Sequence, residues 1–383
     1  MPLQTRRFSA FLFAYYAHAG TFATYVSLFF AARGMSAPQI GVLISLNQIM
    51  RIFGPNLWGW VADRTRRRVL VLRLSCVGAV LATGGLFFAR GFAEFFLVLA
   101  LLNLCTSAQG PLAEALMLAE LRGDVANFGR IRMWGSIGFI VAVMAGGYAL
   151  DWWSVEALPW LAGGVLLCVL GASLWIAERA QPGEVRQAPA LWPVLRQPAV
   201  LAFFGGSALM CGAHMALNAF YSLYLERAGY SKPVIGAMWS FGVVCEVVFF
   251  YQQAPLFRRF GARAVMMLAY ALALVRFPMI ALGAGSIAVL LLAQLMHAAT
   301  FAAHYSSSIL TMQRWFSGPL QARGQALYTS VGFGAGGSAG GLLMSYCWER
   351  FGPSSVYWVA ALMAGAACLC SAWSFRRLRA SAP

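Results

Sequence analysis

The pattern G-x-S-x-P-x-I-G occurs twice, first as Gly34-Met35-Ser36-Ala37-Pro38-Gln39-Ile40-Gly41 and again as Gly229-Tyr230-Ser231-Lys232-Pro233-Val234-Ile235-Gly236. The two prolines lie 195 residues apart (233 − 38), about half of the 383-residue chain. Each copy opens a long apolar segment that ends in a cluster of arginines, at 64–68 and at 258–263. The repeat predicts two copies of one membrane bundle, an arrangement typical of proteins that work by alternating access.

Composition indicates that lipid is the main solvent of this chain. Hydrophobic residues make up 61% and charged residues 10% of the sequence, and the mean hydropathy is +0.70. A soluble domain carries about 25% charged residues. The formal net charge of +16 would suggest nucleic acid in a soluble protein. Here the arginines sit in short loops between apolar runs, which argues against a nucleic-acid partner.

Apolar segments of the length that a spanning helix needs, roughly 20 residues, recur along the chain. They lie at 9–31, 38–60, 69–89, 93–115, 131–151, 156–177, 199–222, 233–254, 263–283, 286–309, 324–346 and 355–375. A polar, proline-rich linker at 178–198 separates six segments from six. We therefore predict an all-α membrane protein of twelve transmembrane helices, with pseudo-symmetric six-helix bundles at 1–177 and 199–383 and a cytoplasmic linker between them.

The arginines and lysines predict the orientation in the membrane. If the N-terminus is inside, most of the 28 basic residues fall in cytoplasmic loops. The outer loops then hold Arg33, Arg90, Arg227, Lys232 and Arg350. This asymmetry predicts that both termini lie in the cytoplasm of a bacterial-type inner membrane. The first apolar run is long enough to span and lacks an A-x-A-like site, so we interpret it as a retained helix and not as a signal peptide.

The sequence offers no signal for a metal, a cofactor or an enzyme. Its eight cysteines all lie in apolar runs, and no H-E-x-x-H or similar ligand set occurs. We find neither a Walker A sequence nor a reactive constellation of paired carboxylates or an activated nucleophile. We expect a monomer whose partners are the bilayer, a small molecule and protons.

Several ionisable or polar side chains fall inside predicted spans. A charge near the bilayer centre costs at least ~2.5–3.5 kcal/mol, so it should have a partner or a role. Arg51 and Glu246 lie deep in the second and eighth spans and are superposed by the 195-residue repeat. Arg276 lies mid-span in the ninth, and His297 lies mid-depth in the tenth on one face with Gln294. Glu246 is either a proton or substrate site or half of a structural ion pair with an arginine, and His297 is either functional or a hydrogen-bonded core residue.

A second charged pair stands at the cytoplasmic ends of neighbouring spans. Glu114 closes the fourth span and Arg132 opens the fifth. On periodicity alone, this pair is as compatible with a solvated loop contact as with a binding site.

The loop after the second span reads Gly59-x-x-x-Asp63-Arg64-x-x-Arg67-Arg68. It resembles the signature of the major facilitator superfamily, and the resemblance implies that Gly59, Asp63, Arg64 and Arg67 act in gating. The segment 128–135, preceded by Glu114, is similar to the lactose permease branch. There the acid and arginine that correspond to Glu114 and Arg132 bind a sugar, and Phe139 corresponds to an aromatic residue that stacks on it.

The resemblance extends to the second half of the chain. Gly212-Ala213-His214, the segment 239–246 and His297-x-x-Thr300-Phe301 are similar to the 3-phenylpropionate transporter family. The likeness implies a place for His214 at the substrate. Two positions depart from lactose permease, because Thr300 stands where that branch has an acid and Gln294 where it has a lysine. An organic anion, such as an aromatic acid, therefore fits better than a sugar.

These observations predict a proton-coupled symporter of a small organic solute, with Glu246, Arg276 and His297 in proton coupling. Arg51, Glu114, Arg132, Phe139, His214 and Gln294 are the candidate substrate-binding residues. Substrate is expected near mid-membrane, at the interface of the two halves. A sugar, nucleoside or drug transporter of the same fold, or a polytopic membrane protein that transports nothing, remain the alternatives.

Overall fold

The structure, a computed structural model, describes residues 3–121, 125–177, 191–317 and 320–380, and it is helical almost throughout them. The first six helices are α1 Leu3–Ala32, α2 Ala37–Thr65, α3 Arg68–Gly84, α4 Phe92–Glu120, α5 Val125–Trp153 and α6 Leu158–Trp175. Short 3-10 turns occur at Gly85–Phe87 and Val155–Ala157. No strand occurs in these described ranges.

The second half is more interrupted. Its helices are α7 Trp192–Leu195, α8 Pro198–Ala213, α9 Met215–Asn218, α10 Tyr221–Arg227, α11 Lys232–Gly283, α12 Ile287–Leu295, α13 His304–Met312, α14 Gln321–Tyr328, α15 Gly337–Phe351 and α16 Ser355–Ala380. Two π-helical segments, Ala298–Ala303 and Thr329–Gly336, join α12 to α13 and α14 to α15. The long α11 is two helices that meet at Gly261, whose φ of +73° is a conformation that glycine adopts without strain.

Helices cover all twelve stretches that the sequence predicts to be spans. By length and composition, eight helical stretches of the described residues could cross a membrane, and one of them is the broken Lys232–Gly283. The all-α membrane fold is thus confirmed, while the number of twelve spans stays a prediction.

The repeated pattern ends one helix and starts the next. Its first glycine has a positive φ in both copies, +76° at Gly34 and +89° at Gly229. In the first copy, Ser36 caps α2: its hydroxyl accepts from the Gln39 backbone N–H at 3.5 Å, and the Gln39 side chain accepts from the Ser36 N–H at 2.9 Å. The proline then falls in the first turn, where no N–H is needed.

The described chain groups into two compact units. The first contains Met1–Gly183 together with Gly229–Ser240, and the second contains Glu184–Ala228 together with Phe241–Pro383. The first turns of α11 therefore pack with the N-terminal helices, whereas the rest of α11 belongs to the second unit. Residues 178–190 of the predicted linker lie outside the described ranges, so the boundary at 178–198 stays a prediction.

Small residues allow close helix packing within each unit. In the first unit, the Tyr25 hydroxyl donates to the Val143 carbonyl at 2.7 Å and ties α1 to α5. In the second unit, a Cβ at Gly336 would overlap the backbone of Ala208 on α8. Helix–helix contact through small residues is the usual packing mode in lipid, because it lets backbones approach closely.

Candidate functional site

The second unit brings Glu246 and His297 into direct contact. Glu246, on α11, places Oε1 2.6 Å from Nε2 of His297, which ends the turn after α12. Their side chains are only 16% and 12% exposed, respectively. The π-helical segment Ala298–Ala303 begins immediately after the histidine. Such widened turns are rare in helices and are frequent at functional sites.

Arg276 braces the turn that carries His297. Its guanidinium is fully buried and donates from Nε to the Ala293 carbonyl at 2.7 Å and from Nη2 to Gln294 Oε1 at 2.8 Å. On the far side of the histidine, Nη1 donates to Thr300 Oγ1 at 2.8 Å. The three partners recorded for this guanidinium are neutral oxygens. The arginine is thus held by hydrogen bonds on both sides of His297, and no carboxylate of the described residues contacts it directly.

The structure gives Gln294 and Arg276 partners that the sequence did not predict. Gln294 was predicted at the substrate, and the structure buries it as an acceptor for Arg276. An ion pair with an arginine was the alternative interpretation of Glu246; among the described residues, its carboxylate contacts His297. Sequence patterns reveal that a buried charge needs partners, but a backbone carbonyl such as that of Ala293 leaves no signal in them.

His214 lies beside this group, where the seventh predicted span is interrupted. The residue caps the C-terminus of α8 and is buried, and its Nδ1 donates to the Met210 carbonyl at 2.9 Å. The imidazole centre lies 6.1 Å from that of His297 and 5.5 Å from the ring of Phe301. Hydropathy gave no sign of the break that divides this span into α8, α9 and α10.

The first unit holds a second charged group. Arg132 Nε lies 3.2 Å from Glu114 Oε1, and the two side chains are 36% and 35% exposed. The guanidinium lies over the ring of Tyr16, 4.1 Å from its centre. A Cβ at Gly135 would come within 2.5 Å of the same ring, so glycine makes room for the tyrosine. Sequence reasoning missed Tyr16, which stands among many other aromatic residues of α1.

Arg51 and Phe139 belong to this unit as well. Arg51 is exposed on α2 and lies within electrostatic range of Tyr15 and Tyr16, the ring beneath Arg132. Phe139 is half-buried on α5, and its ring packs against α1, 3.2 Å from a Cβ built at Gly20. Arg51 and the Glu114–Arg132 pair thus have Tyr15 and Tyr16 as common neighbours.

The predicted gating residues surround an exposed turn. Helix α2 ends at Thr65, and α3 begins at Arg68 after a left-handed residue, Arg66, with φ of 52°. Asp63 Oδ1 lies 3.7 Å from Arg68 Nη2, and both side chains are exposed. Nearby, the Arg64 guanidinium lies 5.4 Å from the Trp60 ring centre, Arg67 precedes α3, and Gly59 faces open space.

Within the described ranges, no group of three or more His, Cys, Asp or Glu side chains could hold a metal ion.

Residues 5–359 match the model of the MFS_1 like family. The chain belongs to the major facilitator superfamily. It is similar to the Probable 3-phenylpropionic acid transporter of Escherichia coli (strain K12), with 26% identity over 95% of this chain and 96% of that protein. It is also similar to the maltose permease of Geobacillus stearothermophilus, with 27% identity over 84% of this chain and 82% of the permease.

Solved structures show the same fold. The crystal structure of the nucleoside transporter NupG superposes with a TM-score of 0.81 at 18% identity, over 98% of this chain and 99% of that one. The POT family transporter PepTSo gives a TM-score of 0.78 at 12% identity, over 100% of this chain and 99% of the other. The family resemblance predicted from the sequence is confirmed. The protein is a multi-pass membrane transporter of the major facilitator type that acts on a small molecule, and it is not an enzyme.

Proposed function

We propose that this transporter is a proton-coupled symporter of a small organic acid, and that the acid is aromatic. The observation that carries the proposal is the buried Glu246–His297 pair, beside an arginine whose partners are neutral. A carboxyl group in contact with an imidazole can bind and release a proton without a large movement. The Glu246–His297 pair is therefore our proton site.

The hydrogen bonds around the pair favour a single shared proton in its unloaded state. Among the described residues, His297 Nδ1 has no hydrogen-bond partner. A doubly protonated imidazole would bury an N–H donor there without an acceptor, at a cost of roughly 1–3 kcal/mol. A neutral imidazole that donates from Nε2 to ionised Glu246 avoids this cost. A second proton then neutralises the carboxylate, and the pair titrates as one unit.

Charge balance gives a reason for coupling. With Glu246 ionised and His297 neutral, Arg276 and Glu246 contribute +1 and −1 to the buried charge of this group. Binding a monocarboxylate adds −1, and protonation of Glu246 compensates for it. Net charge is costly in the low dielectric of a membrane protein interior. The empty form and the form loaded with both acid and proton are therefore the two forms that reorient, which gives one proton per monovalent anion.

The first unit supports an anionic substrate. Arg51 and Arg132 both lie within electrostatic range of Tyr15 and Tyr16, so two guanidinium groups contribute positive charge to this part of the unit. Arg132 is partly exposed and rests on the face of Tyr16, and a guanidinium can bind a carboxylate through two parallel hydrogen bonds. The similarity to a 3-phenylpropionic acid transporter supports the same class of substrate.

A sugar is the second candidate. The Glu114–Arg132 ion pair corresponds to the acid and arginine that bind sugar in the lactose permease branch, and one relative is a maltose permease. We include in the proposal a monomer with both termini in the cytoplasm, and gating by the turn that contains Gly59, Asp63, Arg64 and Arg67.

Purified protein in proteoliposomes tests the proposal. Uptake of radiolabelled 3-phenylpropionate and maltose is measured with and without an imposed pH gradient. We expect the acid to accumulate only with the gradient, and Glu246→Gln to retain counterflow exchange while losing pH-driven accumulation, because glutamine mimics the protonated carboxyl. Glu349→Gln, at an exposed carboxylate of the same unit, is the matched control and should behave as wild type.

Other results would count against the proposal. Persistent pH-driven uptake by Glu246→Gln would move the proton site elsewhere. Loss of both activities would make Glu246 a binding or structural residue. Maltose accumulation without uptake of the acid would favour the second candidate.

A further inference from the structure

The two π-helical segments of the second unit share an unusual composition. Ala298–Ala303 reads Ala-Ala-Thr-Phe-Ala-Ala, and Thr329–Gly336 reads Thr-Ser-Val-Gly-Phe-Gly-Ala-Gly. Each segment consists of small or medium-sized residues around one aromatic side chain, Phe301 or Phe333. The composition indicates that each phenylalanine has few large neighbours in its own segment.

The two phenylalanines meet, and they adjoin the proton site. Their ring centres lie 6.5 Å apart at an interplanar angle of 70°, an edge-to-face arrangement. Phe301 also stacks on the imidazole of His297, at 5.4 Å and 8°. Tyr305 lies one turn further along and places its ring 6.5 Å from Phe333. Since His297, Phe301 and Tyr305 follow at intervals of four residues, they line one face of the tenth span.

These rings are less buried than the aromatic core of their unit. Phe301, Tyr305 and Phe333 are all half-buried. The fully buried aromatic side chains of the second unit include Phe203, Phe220, Tyr221, Tyr270 and Tyr357. The most exposed leucines of α12 and α13 are Leu292, Leu295 and Leu310. The leucines do not fall in the four-residue series His297, Phe301 and Tyr305, so they lie on another face of the helix. The partly exposed rings of Phe301 and Tyr305 therefore lie on a different face from the most exposed leucines.

Glycine fixes the backbone around Phe333. Gly336 packs so closely on α8 that a Cβ there would overlap the Ala208 backbone, and a Cβ at Gly332 would lie 3.3 Å from the Cys211 sulfur. These contacts hold the π segment against α8, while Gly332 and Gly334 place no side chain beside the phenylalanine. The ring is thus presented on a fixed support, as a binding surface requires.

We infer that Phe301, Tyr305 and Phe333 form an aryl-binding subsite that receives the aromatic ring of the transported acid. The inference rests on the proposed function and names the feature of the substrate that the second unit recognises. A planar ring can stack on Phe301 or meet the edge of Phe333, whereas a saturated ring of similar size has no π face. Because Phe301 stacks on His297, a ring bound in this subsite lies one side chain away from the proposed proton site.

A pair of ligands that differ only in ring saturation isolates this recognition. Aromatic pairs contribute about 0.5–1.5 kcal/mol beyond area burial, which corresponds to about two- to tenfold in affinity. We expect wild type to bind 3-phenylpropionate at least about threefold more tightly than 3-cyclohexylpropionate. Phe333→Leu and Phe301→Leu should abolish this ratio mainly by weakening the phenyl ligand, and Phe333→Tyr should retain it. Phe351→Leu, at an exposed phenylalanine of α15, is the matched control.

Binding is measured by thermal stabilisation of purified protein, with the neutral pair 3-phenylpropanol and 3-cyclohexylpropanol alongside the acids. Wild type should bind the phenyl alcohol more tightly than the cyclohexyl alcohol, and Phe333→Leu should remove this difference. Such a result would support the subsite even if no acid were transported. The subsite and the proposed acid symport can therefore be refuted independently. Equal binding of both ring types by wild type would overturn the inference. The inference would also be overturned if Phe301→Leu and Phe333→Leu weakened the binding of the phenyl and cyclohexyl ligands equally. That result would show that the two phenylalanines contribute only to packing.

Discussion

Replacing Thr300 by valine tests how much the hydrogen bonds that Arg276 makes on both sides of His297 contribute to the stability of the fold. The threonine hydroxyl is fully buried, accepts from Arg276 Nη1 at 2.8 Å and donates to the His297 carbonyl at 3.3 Å. Valine has nearly the same shape, so the substitution leaves no cavity, but one N–H of a buried guanidinium loses its acceptor. A hydrogen bond to a charged group is worth about 1.5–3 kcal/mol. We expect Thr300→Val to lower the free energy of unfolding by that amount.

Thr311→Val is the matched control for this measurement. Thr311 is also buried, on α13, but its hydroxyl donates at 2.7 Å to the carbonyl of Ser307, one turn earlier in the same helix. Such neutral bonds within a helix contribute little, so this change should cost less than about 1 kcal/mol. Unfolding by denaturant titration in mixed micelles measures both. If both variants lowered the free energy of unfolding equally, or if Thr300→Val did not lower it, the Arg276–Thr300 hydrogen bond would not stabilise the fold as we expect.

Three further outcomes are expected. Asp63→Asn should slow transport while leaving substrate affinity and stability nearly unchanged, because its exposed contact with Arg68 is worth under about 1 kcal/mol; a loss of affinity at an unchanged maximal rate would contradict gating. Arg132→Lys should weaken acid binding about tenfold or more, because lysine keeps the positive charge but lacks the planar guanidinium with its parallel N–H donors. Unchanged affinity would indicate that the Glu114–Arg132 pair is only a surface contact. A reporter fused after Pro383 should be active only in its cytoplasmic form, and activity outside would reverse the orientation.

The parts of the fold that local rules control could be predicted from the sequence. Gly34 and Gly229 stand where the backbone needs a positive φ, and Ser36 caps the helix that follows. The gap between the eighth and ninth predicted spans likewise coincides with the break at Gly261. Each of these features depends on one or two residues and their own backbone, so the pattern alone is enough.

Features that depend on packing left no such signal. Hydropathy treats the stretch around His214 as one continuous span, although the helix is interrupted there. Hydropathy does not distinguish the two π-helical segments from ordinary apolar helix, and nothing in the sequence groups Gly229–Ser240 with the first unit. These outcomes are decided by side chains from distant helices, which hydrophobic periodicity does not describe.

For the candidate site too, the sequence predicted individual residues but not the contacts between them. The sequence singled out Glu246, Arg276 and His297 because charged or titratable side chains within a span need a reason to be there. It did not reveal which of them touch, because the helical segments that carry Glu246 and His297 have to pack together before their 2.6 Å contact exists. Tyr16 under Arg132 was missed for the same reason.

The hydrogen bonds of Arg276 give a physical explanation for the two positions at which this chain departs from the lactose permease branch. Thr300 stands where that branch has an acid and Gln294 where it has a lysine, so one negative and one positive charge are absent together and the net charge of the region is the same. Both replacements accept hydrogen bonds from Arg276, at 2.8 Å each. A neutral partner cannot change the charge of the arginine's surroundings when the pH changes. In our proposal, the arginine therefore holds its position while the neighbouring Glu246–His297 pair gains and loses its proton.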